Sequence, residues 1–423
     1  MYRESLYNFI YDEKDRVVIY NSYSNAIVVL TSFEFNHLKS YLNNEISEDD
    51  FIYQLVRLGV LIEENKNEKS NLNSMRIKGA KQTNNLFFRI LPTTDCNARC
   101  FYCYEAGVDH CAIDKKIFPK IIGFIESCIK EDTKRINIQW YGGEPLLELE
   151  AIQSLTKGLK ELFKKKNLKY SFTMISNGIL LDSKTVLILA NELEIKKIQI
   201  TLDGMSEEYK KRKAYINNFF DPFETIVNNI DSLLNVGINV DIRLNCDGLN
   251  YSSILNLIDF LSIRFKHFNN LNVYAFPLYG SYWTKTESAP NSQYITTKQF
   301  SAIIRKLIDK KLMKIPSLRI KRNSCGATNF NSYAILPNGN LLKCMMNTSD
   351  VVGNVITGVD YNRNYCKWCS IELPKECENC KFLPLCEGGC RAGHLGYSGM
   401  SCFVYKDIIK DLVDILINSL QII

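Results

Sequence analysis

The chain has 423 residues, 46% of them hydrophobic and 11% aromatic, which is enough for a sizeable core and for two or three domains. Its formal net charge of +6 is scattered in short runs, so no basic stripe marks it as a nucleic-acid binder. The N-terminus, MYRESLYNFIYDEKD, lacks the apolar run of a signal peptide, and no later stretch reaches the ~18 apolar residues of a membrane span. A soluble, cytoplasmic protein with neither membrane nor nucleic acid as partner is therefore expected. In a reducing compartment its 15 cysteines read as metal ligands rather than disulfides. Lys164-Lys165-Lys166 and Lys210-Lys211-Arg212-Lys213 read as solvated helix faces, with a hold on an acidic peptide as the alternative.

Residues 1–75 form a unit of their own. Leu6–Tyr11 and Val17–Asn21 predict a hairpin around Asp12–Asp15, and Ala26–Leu30 a third strand. Thr31 caps a helix through Glu34, Leu38 and Tyr41, and Ser47-Glu48-Asp49-Asp50 opens another through Leu58. Gly59–Glu63 closes the unit, and His37 reads as a helix-surface residue. Strands followed by helices and the GVLIEE ending resemble the PqqD-like winged-helix domain. The resemblance implies a leader peptide captured at a sheet edge; a packing extension of the rest of the chain is the plainer alternative. Asn65–Asn84 is polar and reads as a connection, with the linker proper at 76–85.

The next strand, 86–91, runs into LPTTDCNARCFYCYE, where Cys96, Cys100 and Cys103 form a C-x3-C-x2-C triplet. Three thiolates can hold three irons of a cubane and leave the fourth open, unlike the four protein ligands of structural zinc or electron-transfer sites. A zinc loop or reduced core thiols are the bland alternatives. The spacing, with Tyr102 directly before the third cysteine, resembles the signature of the radical S-adenosylmethionine (SAM) superfamily. The resemblance implies that the open iron chelates SAM and that one electron cleaves it to a 5′-deoxyadenosyl radical. Further strands are predicted at 136–141, 171–175, 197–202, 238–244 and 271–276. Helices are predicted near 115–130, 148–166, 182–193, 222–236 and 252–264. Repeated βα units mean a parallel sheet, and six of them fit an α/β fold with the partial (β/α)6 barrel of that superfamily over 86–310.

Other strand ends carry polar groups. Gly142, Gly143, Glu144 and Pro145 end the second strand; paired glycines permit close backbone approach, and a carboxylate accepts bonds from an ammonium group. By resemblance this loop grips the amino group of SAM, and Tyr102 contacts adenine. Ser176 and Asn177 end the third strand, Asp203 the fourth, and Arg243 with Asn245 the fifth. Relatives use such groups on SAM or substrate; a turn or a buried network is the alternative. Tyr279–Gln293 reads as loop and Ser301–Met313 as a helix. Cys111, Cys128 and Cys246 read as buried structural thiols.

From Cys325 the cysteines are dense: Cys325, then Gly339 and Cys344, then Cys377, Cys380, Cys386, Cys390 and Cys402. This arrangement resembles the SPASM extension, placed at 311–423, for which a zinc ribbon is the alternative. The resemblance implies two auxiliary [4Fe-4S] clusters besides the SAM-binding one. Cys325, Cys344 and Cys390 would serve the first and Cys377, Cys380, Cys386 and Cys402 the second, a crossed assignment that staples the hairpin near Ala334–Leu336 to the C-terminal loops. The first set is a ligand short, which leaves two options: Cys366 or Cys369 completes it, or the iron stays open to a substrate thiolate. Sulfatase-maturing relatives carry an extra cysteine after the first and an aspartate after the second. Here Gly326–Asn331 has no cysteine and Met345 follows Cys344, which counts against that activity.

The resemblance therefore implies a radical SAM maturase of a ribosomally made precursor peptide, with the leader held by residues 1–75 and electrons from flavodoxin or ferredoxin. The TLDG and IRLN phrases resemble maturases of cysteine-rich peptides, so sulfur-to-carbon thioether crosslinks are the expected product. Carbon–carbon or carbon–oxygen crosslinking, epimerisation with Cys246 as hydrogen donor, and an iron–sulfur electron-transfer protein are the alternatives.

Overall fold

The computed structural model describes residues 1–216, 221–278, 294–321, 325–398 and 401–419. The expected loop at 279–293 lies outside them. The first unit contains β1 (Tyr2–Glu4), β2 (Asn8–Asp12), β3 (Val17–Asn21), β4 (Ile27–Leu30), α1 (Ser32–Leu42), α2 (Asp50–Arg57) and β5 (Leu61–Glu63). β2, β3 and β4 form an antiparallel sheet in that order, and β1 pairs with β5. Thr31 and Glu34 close a capping box on α1, and Asp49 caps α2 while bonding His37 Nε2 at 2.6 Å. β3 is buried on both faces. Val17 and Ile19 join the unit's own core with Leu38, Ile52 and Leu55, whereas Val18 and Tyr20 join the main core.

The polar stretch expected as a linker is mostly an α-helix, α3 (Glu68–Lys81), capped by the Asn67 side chain. Only Glu68, Leu72 and Ala80 of this helix are buried, so the sequence shows no apolar stripe. Its packing is specific all the same. The Glu68 carboxylate accepts bonds from Ser5 Oγ (2.7 Å) and Leu6 N (3.0 Å), and Ala80 O accepts one from Phe330 N (2.9 Å). The helix straps the N-terminal unit to the C-terminal part of the chain.

Six parallel strands then alternate with helices: β6 (Asn85–Ile90), α4 (Phe118–Cys128), β7 (Arg135–Trp140), α5 (Leu149–Lys165), β8 (Lys169–Ser176), α6 (Ser183–Leu187), β9 (Ile195–Thr201), α7 (Ser206–Lys213), α8 (Pro222–Asn235), β10 (Asn239–Cys246), α9 (Tyr251–Arg264) and β11 (Leu271–Pro277). The register runs Ile90 to Trp140 to Met174 to Ile198 to Val240 across neighbouring strands. Strand alternation sends Leu86, Phe88 and Ile90, like Ile136, Ile138 and Trp140, into the core shared with the helices. Phe87, Arg89 and Gln139 therefore face the other way. The helix expected at 301–313 is α10 (Thr297–Asp309), begun earlier by a Thr296–Gln299 capping box.

The cysteine-rich part is not a separate layer. Its hairpin, β12 (Ser332–Ile335) and β13 (Leu341–Leu342), extends the barrel sheet to eight strands, β12 lying parallel to β6 with Ser332 opposite Phe87 and Ile335 opposite Ile90. A small ribbon follows, β14 (Gly353–Asn354) with β15 (Gly358–Val359). Among the described residues four α-helices follow, α11 (Arg363–Trp368), α12 (Leu383–Cys386), α13 (Arg391–His394) and α14 (Ile409–Ser419), the last returning Leu412, Val413 and Ile417 to the barrel core. No described helix is long and apolar enough to cross a membrane.

Two expectations are corrected. Lys210–Lys213 is not wholly a solvated face: Arg212 and Lys213 are 3% and 4% exposed, because α7 turns back over the cysteine loop. Of the three thiols expected to be buried, Cys246 is; Cys128 is half-buried, and Cys111 is exposed on the loop returning to α4.

Candidate functional site

The triplet loop leaves the carboxyl end of β6, and the Gly142–Pro145 loop leaves the same end of β7. The two are stitched together by backbone. Gly143 N donates to Thr93 O (3.2 Å) and Glu144 N to Asp95 O (2.8 Å). A Cβ at 142 would lie 2.2 Å from Thr93 O, and one at 143 would lie 2.0 Å from Asp95 O. Both glycines are thus required by the cysteine loop itself, a closer constraint than the ligand approach expected from sequence. Gly142 also has φ +128°, which other residues avoid.

Glu144 is 0% exposed. Its carboxylate accepts bonds from Ser176 Oγ (2.9 Å), Asn177 N (2.7 Å) and Leu146 N (3.1 Å), so the third strand end holds the second strand's carboxylate. Burial pushes its pKa up to about 7 against the pull of those donors. Asn177 Nδ2 also bonds Asn97 Oδ1 (2.7 Å), inside the triplet loop. Ser176 and Asn177 are therefore placed to orient Glu144 and the loop.

Tyr102 is turned inward. Its hydroxyl donates to Asp203 Oδ2 and accepts from Lys213 Nζ (2.8 Å), which lies 3.4 Å from Asp203 Oδ2. Asp203 is wholly buried, and its Oδ1 has no hydrogen-bond partner. Arg99 N reaches the carbonyls of Lys213 and Ala214 at 3.0 Å, and Ile216 N reaches Asn97 O at 3.0 Å. The end of α7 is thus a second wall of the triplet loop. Sequence reasoning missed Lys213 because a basic run looks solvated; its only signal was position, ten residues after Asp203. Arg212 forms a bidentate pair with Asp247 (2.9 and 2.8 Å) that anchors this wall to the end of β10. Arg243 bonds Asn245 Oδ1 (2.8 Å) and lies 4.1 Å from the Phe276 ring centroid, on the same inner face.

The three triplet thiols are held above their ordinary pKa, chiefly by burial: Cys96 to about 12, Cys103 to about 11, and Cys100 upward with the Lys213 charge opposing. Metal ligation would deprotonate them. No three described His, Cys, Asp or Glu side chains converge on a single metal ion; a cubane spreads its thiolates over separate irons. Three half-buried cysteines, a nearby lysine and an orphaned carboxylate oxygen fit such a cluster with a polar ligand beside it.

Seven of the remaining cysteines fall into two neighbourhoods. Cys325, Cys344 and Cys390 pack around Ala327, Trp368 and Ala392. Cys377, Cys380, Cys386 and Cys402 lie within electrostatic reach of one another, near Tyr7 and Leu72. Cys366 is exposed. Cys369 is buried beside Lys343 and Tyr365. The Lys343 ammonium donates to Asn329 O (2.5 Å) and Ser332 O (2.6 Å), pinning the Cys325 loop and β12 to the segment that carries Cys344.

Comparison with known proteins fits this geometry. Residues 90–261 match the model of the Radical SAM superfamily. The chain is 22% identical over 432 residues to the radical SAM cyclopropyl synthase TigE of Paramaledivibacter caminithermalis, covering 90% of this chain and 85% of that one. It is 28% identical over 177 residues to a probable GTP 3′,8-cyclase of Methanocaldococcus jannaschii, covering 41% of this chain and 53% of the cyclase. Among solved structures, anSMEcpe with bound AdoMet and Cp18Cys peptide superposes with TM-score 0.61 at 19% identity, over 80% of this chain and 99% of that one. Streptococcus suis SuiB bound to precursor peptide SuiA does so with TM-score 0.55 at 17% identity, over 96% and 100%. Residues 90–261 thus carry a radical SAM domain, and the chain is an enzyme.

Proposed function

We propose that this enzyme modifies a ribosomally made precursor peptide and that its product is a thioether crosslink. The carrying observation is the gathering of Cys325, Cys344 and Cys390 around one small core next to the barrel sheet that also bears the triplet. The likeness to AdoMet- and peptide-bound structures along most of the chain supports a peptide substrate. SAM on the triplet cluster supplies, when reduced, a 5′-deoxyadenosyl radical that takes one hydrogen atom from a carbon. The chain's residues do the positioning. Cys96, Cys100 and Cys103 hold that cluster, Glu144 takes the ammonium group, and Lys213 with Asp203 and Arg243 present polar groups to the rest of SAM. Cys325, Cys344 and Cys390 hold one auxiliary cluster, and Cys377, Cys380, Cys386 and Cys402 the other. Residues 1–75 hold the leader, for which β4 at the edge of the three-stranded sheet is the natural docking strand; flavodoxin or ferredoxin supplies the electron.

A carbon–carbon product is the second reading, favoured by the likeness to a cyclopropyl synthase over 90% of the chain. The deciding experiment gives anaerobically reconstituted enzyme dithionite, SAM and a cysteine-containing peptide encoded beside its gene, followed by mass spectrometry. Loss of two hydrogens with fewer alkylatable thiols is expected. The same loss with all thiols free would give the carbon–carbon reading, and deuterium uptake at unchanged mass would give epimerisation. An unmodified peptide despite deoxyadenosine release would overturn the proposal.

A further inference from the structure

Arg89 is a fixed charge with no opposite charge attached. It lies on the inner face of β6, where its Nε donates to Gln139 Oε1 (2.9 Å) and its guanidinium lies 5.1 Å from the Tyr141 ring centroid and 5.8 Å from that of Phe87. Among the described residues no carboxylate is within ion-pair distance of it. A guanidinium cannot shed its proton to escape this position, and an uncompensated charge in a half-buried site is costly. Such a residue points to an anionic neighbour.

The sheet register shows where that neighbour sits. Arg89 is opposite Ala334 of β12, which is opposite Leu342 of β13, two residues before Cys344. Phe87, on the same face, abuts the segment after Cys325: a Cβ at Gly326 would lie 3.7 Å from Phe87 Cδ1. The register therefore sets Arg89 beside the segments that carry Cys325 and Cys344, while the buried Glu105, beyond Cys103, lies within its electrostatic reach on the other side. Lys343 is less suited to the role, since its ammonium is spent on two carbonyls.

We propose that Arg89 is the fixed counter-charge of the auxiliary cluster on Cys325, Cys344 and Cys390 and holds its reduction potential up. This rests on the reading of those cysteines as cluster ligands and extends it. A nearby positive charge stabilises the state with one more electron, so the cluster becomes a better electron acceptor. Arg89 acts through the cluster and is a positioning residue, not a catalytic one.

The test is made without peptide, so its failure and that of the maturase reading are separable. Holoenzyme carrying Cys96→Ala, Cys100→Ala and Cys103→Ala, which retains only auxiliary clusters, is titrated with EPR detection in three further variants: Arg89→Lys, Arg89→Gln and Arg89→Met. One of two auxiliary signals is expected to move to more negative potential in the Gln and Met variants, to stay near the parent value in the Lys variant, and to keep the parent's iron content throughout. Unmoved potentials, an equal shift in the Lys variant, or loss of iron in both neutral variants would overturn the proposal. Absence of auxiliary iron from the parent would instead overturn the ligand assignment beneath it.

Discussion

Glu144 shows how much of the site is fixed at single residues. Its carboxyl is raised to about 7 by burial, so around neutral pH part of it is protonated and unable to pair with an ammonium. Folded-state protonation extends above the ordinary carboxylate range, so the anionic form is gained as pH rises toward 7. SAM binding measured by calorimetry should tighten between about pH 5.5 and 7, by at most about tenfold per unit, and Glu144→Gln should bind weakly with little pH dependence. A flat profile in the parent enzyme would remove Glu144 from the ammonium site. Gly143 makes a different demand. Gly143→Ala forces a Cβ against the Asp95 carbonyl, so a loss of about 1–3 kcal/mol in denaturant unfolding is expected, with less iron retained by the triplet. Sequence spacing singled out the triplet and the glycine–glutamate loop as candidate sites. It did not show that they bond each other, because backbone pairing between loops leaves no side-chain signature.

At the scale of elements, the six barrel strands were readable within one or two residues because each alternates or runs apolar against flanking helices. Two elements were not. The α3 helix has no apolar stripe, and its buried anchors are a glutamate, a leucine and an alanine. The α7 helix looks solvated by composition, yet Arg212 and Lys213 are buried because Asp247, Tyr102 and Asp203 wait for them across the fold. In both, tertiary partners overrule local pattern. Leu72 on α3 packs with Tyr7, Cys377 and Leu383, so Leu72→Ala should cost about 2–5 kcal/mol and speed proteolysis between the N-terminal unit and the barrel. Unchanged unfolding and cleavage would mean that α3 does not hold those parts together.

Across the whole molecule, the N-terminal unit, the barrel and the cysteine-rich segment share contacts rather than a string of linkers. Tyr20 OH donates to Leu318 O (2.9 Å), Ser22 Oγ to Lys381 O (2.5 Å) and Lys381 Nζ to Asn8 O (2.7 Å), while β12 completes the barrel's edge. Sequence resemblance named these parts but could not place them, since their contacts join residues hundreds of positions apart. The assembly brings the N-terminal unit, the triplet loop and two further cysteine neighbourhoods into one body. The peptide-modifying function proposed for it depends on the triplet cleaving SAM. The most direct measurement is 5′-deoxyadenosine released from SAM by reconstituted, dithionite-reduced enzyme, beside Cys100→Ala prepared in the same way. The expected result is release by the parent enzyme and background alone from the variant. No release from the parent, or equal release from both, would contradict it.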